Sequence, residues 1–169
     1  MNKASSTPAW YVFYCKSRTE KKLSEQLQLK GFEPFLPLVK TKRVWSDRIK
    51  EVTLPLFPNY IFVACTSAQV PQVLGFTHVV GAVRHNGSWA TLRDQEKAHI
   101  EQVLISGFPF ELQETKVEEG DLVEITTGPL KSIQGRVLRQ QGPTRVAITL
   151  EVLNKSILVA IPSNEIRKL

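Results

Sequence analysis

Every aromatic residue of this 169-residue chain, 14 in all, lies between Trp10 and Phe110, and the last 59 residues contain none. A core without Phe, Tyr or Trp must be built from aliphatic side chains, so the two parts of the chain need two different cores. Two small domains is the economical reading of this length. Charge divides near the same place. Residues 1–106 carry 14 Lys and Arg against 8 Asp and Glu, and residues 107–169 carry 8 against 8, so the net charge of +6 sits wholly in the first part. Such asymmetry points either to a polyanionic partner for that part or to a solvated basic surface. With 42% hydrophobic and 22% charged residues the composition is that of a soluble globular protein. No apolar run approaches the roughly 18 residues of a membrane span. The stretch Met1–Pro8 is small and polar without a signal-peptide pattern, and reads as a frayed tail on a cytoplasmic protein.

Trp10–Cys15 (WYVFYC) is aromatic and β-branched and predicts a strand, with Trp10, Val12 and Tyr14 on one face and Tyr11, Phe13 and Cys15 on the other. Ser17-x-x-Glu20 reads as a capping box ahead of Leu23 and Leu27, giving a helix over about 18–30 that stops at Gly31. Phe32–Val39, with two prolines, predicts an extended edge segment. Lys40–Thr53 alternates basic and β-branched residues around Ser46-Asp47, as a hairpin does. Asn59–Ala64 is a further strand, Ser67–Leu74 a short helix before Gly75, and His78–Arg84 a strand ending at the Asn86-Gly87 turn. Thr91-x-x-Asp94 caps a second good helix that ends at Gly107. Strands interspersed with helices over about 100 residues predict an α+β domain, one sheet covered by helices, over residues 9–106.

Residues 107–116 read as a linker. From Val117 onward, short alternating runs at Leu122–Thr126, Gly135–Arg139, Arg145–Leu153, Ser156–Ile161 and from Ile166 are separated by Gly- and Pro-bearing turns. Five short strands predict a small all-β, SH3-like barrel over residues 117–169. Ile148–Leu158 is apolar enough for a helix, but its β-branching favours strands.

No GxGxxG, P-loop, GxSxG or HExxH pattern occurs, and His78, His85 and His99 are scattered without metal-ligand spacing. Cys15 and Cys65, fifty residues apart, are two buried thiols or a disulfide, with thiols favoured by a reduced cytoplasm. A Cys15–His78 thiol–imidazole pair is weighed against a plain core cysteine, and the core reading is preferred. No catalytic, cofactor or metal site is therefore expected, and the chain reads as a non-enzyme.

Three constellations point to binding instead. Tyr14, Leu56, Phe57, Tyr60 and Phe62 make a sheet apolar on both faces, one for the core and one for a partner, unless helices cover both. Lys16, Arg18, Lys21 and Lys22 cluster where the first strand enters its helix, and Lys40, Lys42, Arg43, Arg48 and Lys50 line the hairpin around Trp45. Gly128, Pro129, Lys131 and Gly135 mark a turn and loop that open the barrel.

Trp10–Tyr14 with Lys16 and its capped helix, the segment Pro55–Val63 (PLFPNYIFV), and Val117–Leu169 together resemble the NusG family, in order, over nearly the whole chain beyond Pro8. The resemblance implies a NusG N-terminal domain and a C-terminal KOW domain. It implies that Tyr14, Leu56, Phe57, Tyr60 and Phe62 bind the clamp helices of RNA polymerase in the elongation complex and suppress pausing. It implies that the KOW barrel binds a ribosomal protein or a termination factor. The basic hairpin with Trp45 and the PLFPNY segment are more similar to the RfaH and UpxY antiterminators, by which analogy Lys16, Arg18, Lys21, Lys22 and Arg84 would contact the non-template DNA strand. Leu130 and Ser132 stand where the family commonly has an aromatic and a glycine. A monomer acting in transcription antitermination is the expectation, and an RNA-binding or ribosome-associated KOW protein is the alternative.

Overall fold

The computed structural model describes residues 6–138 and 142–169. Residues 1–5 of the expected tail Met1–Pro8, the end of the Gly135–Arg139 strand and the start of the turn at Gln141 lie outside them. Two compact units divide the chain, Met1–Asp94 and Gln95–Leu169.

In the first unit the aromatic run becomes β1 (Ala9–Cys15), followed by α1 (Glu20–Leu29) and the three-residue strand β2 (Glu33–Phe35). A long hairpin, β3 (Leu38–Trp45) and β4 (Arg48–Pro55), leads into β5 (Tyr60–Cys65). After a 3₁₀ turn come α2 (Val70–Leu74), β6 (Val79–Ala82), the two-residue pair β7 (Arg84–His85) and β8 (Ser88–Trp89), and β9 (Thr91–Leu92). The sheet runs β2-β5-β1-β6, and β9 pairs with the other half of the β1 edge that β6 occupies. All its pairings are antiparallel. Proline in β2 is tolerable because β2 is an edge, as the sequence predicts.

Alternation along β1 sorts its side chains as expected. Tyr11, Phe13 and Cys15 pack with Ile61, Val63 and Cys65 of β5 against Leu23 and Leu27 of α1 and Val70 and Val73 of α2. The amphipathic stripe of α1 is thus spent on one face of the sheet. Helix α1 starts at Glu20, and its N-cap, Thr19, makes no side-chain cap bond. The expected capping box is not formed, because Glu20 is directed elsewhere.

In the second unit, α3 (Asp94–Ile105) precedes β10 (Phe110–Gln113), β11 (Leu122–Ile125), β12 (Gln134–Leu138), β13 (Arg145–Leu150), β14 (Lys155–Ala160) and β15 (Ile166–Lys168). These strands form one antiparallel sheet in the order β10-β14-β13-β12-β11-β15, the small all-β domain expected of a KOW module with one strand more. Its buried hydrophobic side chains are aliphatic, among them Ile125, Leu130, Val146, Ile148, Ile157 and Val159. Ile148–Leu158 divides into strand, 3₁₀ turn and strand, not helix.

Two boundaries differ from the sequence reading. The stretch read as a linker contains β10, whose Phe110 to Gln113 pair with Val159 to Ser156. Phe110 and Leu112 alternate with exposed Glu111 and Gln113, so a four-residue strand covers the edge of β14 that would otherwise be open. Helix α3, expected to close the first domain, falls in the second unit. Its buried Glu96 accepts a hydrogen bond from the Glu151 backbone N–H at 2.9 Å.

Candidate functional site

The second face of the first sheet carries the aromatic constellation. Register opposes Tyr14 to Tyr60, Val12 to Phe62 and Phe62 to Phe35. The Tyr14 and Tyr60 rings lie 5.0 Å apart at one end of the β1–β5 ladder. Beyond them Phe62 receives Phe57 edge-on at 6.2 Å and Phe35 at 5.8 Å, and Trp10 meets Phe35 at 6.0 Å. The structure therefore brings the five proposed residues into one region but gives them unlike exposures. Tyr14 is 40% exposed and Tyr60 half-buried, whereas Leu56, Phe57 and Phe62 are buried. Tyr14 is thus the most open of the rings on this face, and Trp10 and Phe35 are half-buried like Tyr60.

The Pro55–Asn59 segment is held by three backbone–backbone hydrogen bonds and one from backbone to side chain. Leu56 N–H donates to Pro37 C=O at 2.8 Å, Tyr60 N–H to Phe57 C=O at 3.2 Å, and Cys15 N–H to Asn59 C=O at 2.9 Å. The fourth explains Glu20: its Oε1 accepts from the Asn59 N–H at 3.0 Å. Asn59 itself has φ 69°, a left-handed conformation that Asn tolerates better than most residues. Glu20 is 5% exposed and reaches 39 residues along the chain to fix the turn that sets Tyr60 opposite Tyr14. Sequence reasoning missed this role, although the Glu itself and the Pro-Asn before a strand were visible signals.

The basic cluster is only partly assembled. Lys16, Arg18 and Lys22 are exposed around a turn in which Thr19 donates to Lys16 C=O through both its N–H (3.2 Å) and its Oγ1 (2.7 Å). Arg18 has φ 63°, a costly conformation for a residue with a Cβ. Lys21 donates from Nζ to the Thr53 carbonyl at 2.6 Å, which ties α1 to the base of the β3–β4 hairpin. Arg84 is exposed in the small hairpin beyond β6, where Val83 N–H bonds Val12 C=O. Lys16 follows the opposite end of β1. At about 3.3 Å per residue the two backbones are on the order of 13 Å apart.

The cysteines can be assigned from geometry. Both are free and buried. Cys65 lies opposite Ala9, at the far end of β1 from Cys15, which puts them about 20 Å apart where a disulfide needs Cα atoms within about 7 Å. Burial, with the Glu20 charge adding to it, pushes the Cys15 thiol up to about 12. Burial alone pushes Cys65 up to about 11. A thiol so held is protonated at neutral pH, which is the reverse of what a nucleophile requires. Among the described residues no cluster of His, Cys, Asp and Glu is suited to a metal ion.

In the second unit Gly128 (φ 74°) opens a 3₁₀ turn, Gly128–Leu130, and Ser132 sits at φ 69°. Gly135 is required by close approach: a Cβ there would lie 2.5 Å from the Ala147 carbonyl oxygen. Leu130 is buried, while Pro129 and Lys131 are exposed. The two glycines shape the loop, and Pro129 and Lys131 are what it presents.

The family model described as "Transcription termination factor nusG" matches residues 8–101, more than half of the chain. The chain belongs to the NusG family. It is similar as a whole to the solved structure described as "Domain interaction in Thermotoga maritima NusG", with 22% identity, 96% of this chain and 97% of that chain covered, and a TM-score of 0.54. At that identity the likeness concerns the NusG fold. Family membership makes this a transcription factor whose general setting is elongation and termination by RNA polymerase. No helix among the described residues is long and apolar enough to cross a membrane.

Proposed function

We propose that this NusG-family chain is a non-enzymatic antitermination factor that binds the RNA polymerase clamp helices through its first unit and suppresses pausing. The Tyr14–Tyr60 pair carries this reading: two rings 5.0 Å apart at the end of an aromatic face, one of them 40% exposed while Phe57 and Phe62 are buried. Leu56, Phe57 and Phe62 act from beneath by fixing the height and angle of the pair. Lys16, Arg18 and Lys22 would follow the non-template strand, with Lys21 spent on Thr53 and Arg84 acting at a distance from the others. Pro129 and Lys131 would meet a ribosomal protein or termination factor. Operon-specific action of the RfaH or UpxY kind belongs to the same proposal.

Such a factor works by differential affinity. Preferring the closed clamp over the open one by about 1.4 kcal/mol shifts a pause equilibrium tenfold. The test is single-round transcription by the cognate polymerase on a template with a pause and a terminator. Wild type should speed passage, and Tyr14→Ala/Tyr60→Ala should abolish the effect while weakening polymerase binding by on the order of 1–3 kcal/mol. Phe62→Ala is a poor substitute, because emptying a fully buried Phe site costs about 3–5 kcal/mol of folding. Unchanged passage and polymerase binding in the double tyrosine variant, with the fold intact, would overturn the assignment. No effect of wild type itself, together with salt-dependent RNA binding, would favour the RNA-binding alternative.

A further inference from the structure

Helix α1 runs out into Gly31-Phe32 and helix α2 into Gly75-Phe76. Gly31, at φ 82°, donates its N–H to Gln28 C=O and Phe32 donates to Leu27 C=O, each at 3.0 Å. Glycine adopts the positive φ of such a helix stop without strain. At the other terminus Gly75 and Phe76 donate to the Gln72 and Val73 carbonyls, each at 3.1 Å. The Phe32 and Phe76 rings then lie edge to face at 6.1 Å and pack on the core beneath them. Neither glycine has a side chain to cover the rings, and a Cβ built at Gly31 would meet nothing within 4 Å. What remains between the two helix ends is a cleft of about 570 Å³.

The lining sorts into an apolar floor and a polar rim. Leu29, 85% exposed, extends the floor, and Gln26, Lys30, Gln72 and Thr77 make the rim. Among the described residues none of these four side chains is used in a hydrogen bond or ion pair, and no acid lines the cleft. A lysine at a helix C-terminus suits the dipole by itself. Two carboxamides and a hydroxyl beside an aromatic floor have no such role in the fold. A site of this kind takes an apolar group on its floor and orients it with a few polar contacts. One ammonium without a carboxylate selects an anion, and carboxamides both donate and accept, as a peptide group requires. Leu29, Lys30, Gln72, Gly75 and Thr77 are all exposed, so the rim is open. That suits a chain lying across it better than a small molecule, which needs most of its surface enclosed. We propose that this cleft binds an extended acidic segment of a partner protein, with an aromatic or leucyl side chain on the Phe32–Phe76 floor and an adjacent carboxylate on Lys30. Helices α1 and α2 cover the Tyr11 and Phe13 face of the sheet, whereas Tyr14 and Tyr60 lie on the other. The cleft therefore stays accessible in a factor held through its tyrosine pair, and does not depend on that pair's role.

Backbone amide NMR of the full chain, titrated with the peptide acetyl-Glu-Phe-Asp-amide, tests this. Saturable shifts should centre on residues 26–33 and 72–78. Exchanging the peptide's Phe for Ser should weaken binding by about tenfold or more, the loss expected for an apolar ring no longer buried. In the protein, Lys30→Glu should weaken the acidic peptide by about fivefold, and Leu29→Ser should weaken it less. Both positions are exposed, so neither change disturbs the core. The proposal is overturned by the absence of saturable shifts, by equal binding of acetyl-Lys-Phe-Lys-amide, or by unchanged affinity in Lys30→Glu. Phenylacetate binding as tightly as the peptide would make the cleft a site for a small aromatic acid and overturn the peptide assignment too.

Discussion

Glu20 occupies the first turn of α1, where a carboxylate suits the helix dipole, yet its partner is the Asn59 N–H and not the helix cap. Removing one partner of a buried hydrogen bond leaves the other unsatisfied. Glu20→Ala should therefore lower the unfolding free energy by roughly 1–3 kcal/mol in urea titration, and Glu20→Gln, which keeps the acceptor, should recover much of it. Equal stability of all three proteins would remove Glu20 from its proposed role in setting the tyrosine pair. The cysteines make a pH-dependent prediction. Their folded values, about 12 and about 11, exceed the ordinary 9.0, so the folded state holds these protons more tightly than the unfolded chain. Their contribution is complete below pH 9.0 and is lost as pH rises through the folded values. Between pH 9.0 and about 11, wild type should lose stability more steeply than Cys15→Ala/Cys65→Ala, in which this source is absent. Parallel curves would mean that the thiols are not held as described.

Elements were legible wherever a local pattern sufficed. The alternation of β1, the hairpin around Ser46-Asp47, the Asn86-Gly87 turn and the strands β11 to β15 all follow from period-two apolarity and turn residues. Strand β10 did not follow, because four residues, Phe110–Gln113, gain little from their own propensity and exist through pairing with β14. Hydrogen exchange separates the two descriptions of this stretch. If β10 is a paired strand, the amides that it contributes to the ladder should be protected together with those of β14. Exchange at free-peptide rates across Phe110–Gln113, with β14 protected, would restore the linker. The aromatic constellation was legible as a composition but not as a surface. That Phe57 and Phe62 are buried while Tyr14 is not depends on how rings from β1, β2 and β5 meet across strands.

At the scale of the whole chain, the aromatic limit at Phe110 and the charge imbalance anticipated two cores, a basic unit followed by a neutral aliphatic one. The compact units divide at Asp94, whereas the NusG family match runs on to residue 101, within α3. The sequence by itself determined what is local: which segments are strands or helices, which side chains of β1 share a face, and where backbone freedom is needed. Tertiary structure alone decided the long-range pairings, Glu20 with Asn59, Lys21 with Thr53 and β10 with β14, and through them which members of the candidate site reach solvent. The reason is physical. Periodicity and turn chemistry act within a few residues, whereas a contact spanning 39 residues forms only when the rest of the fold has met the entropy of bringing its ends together.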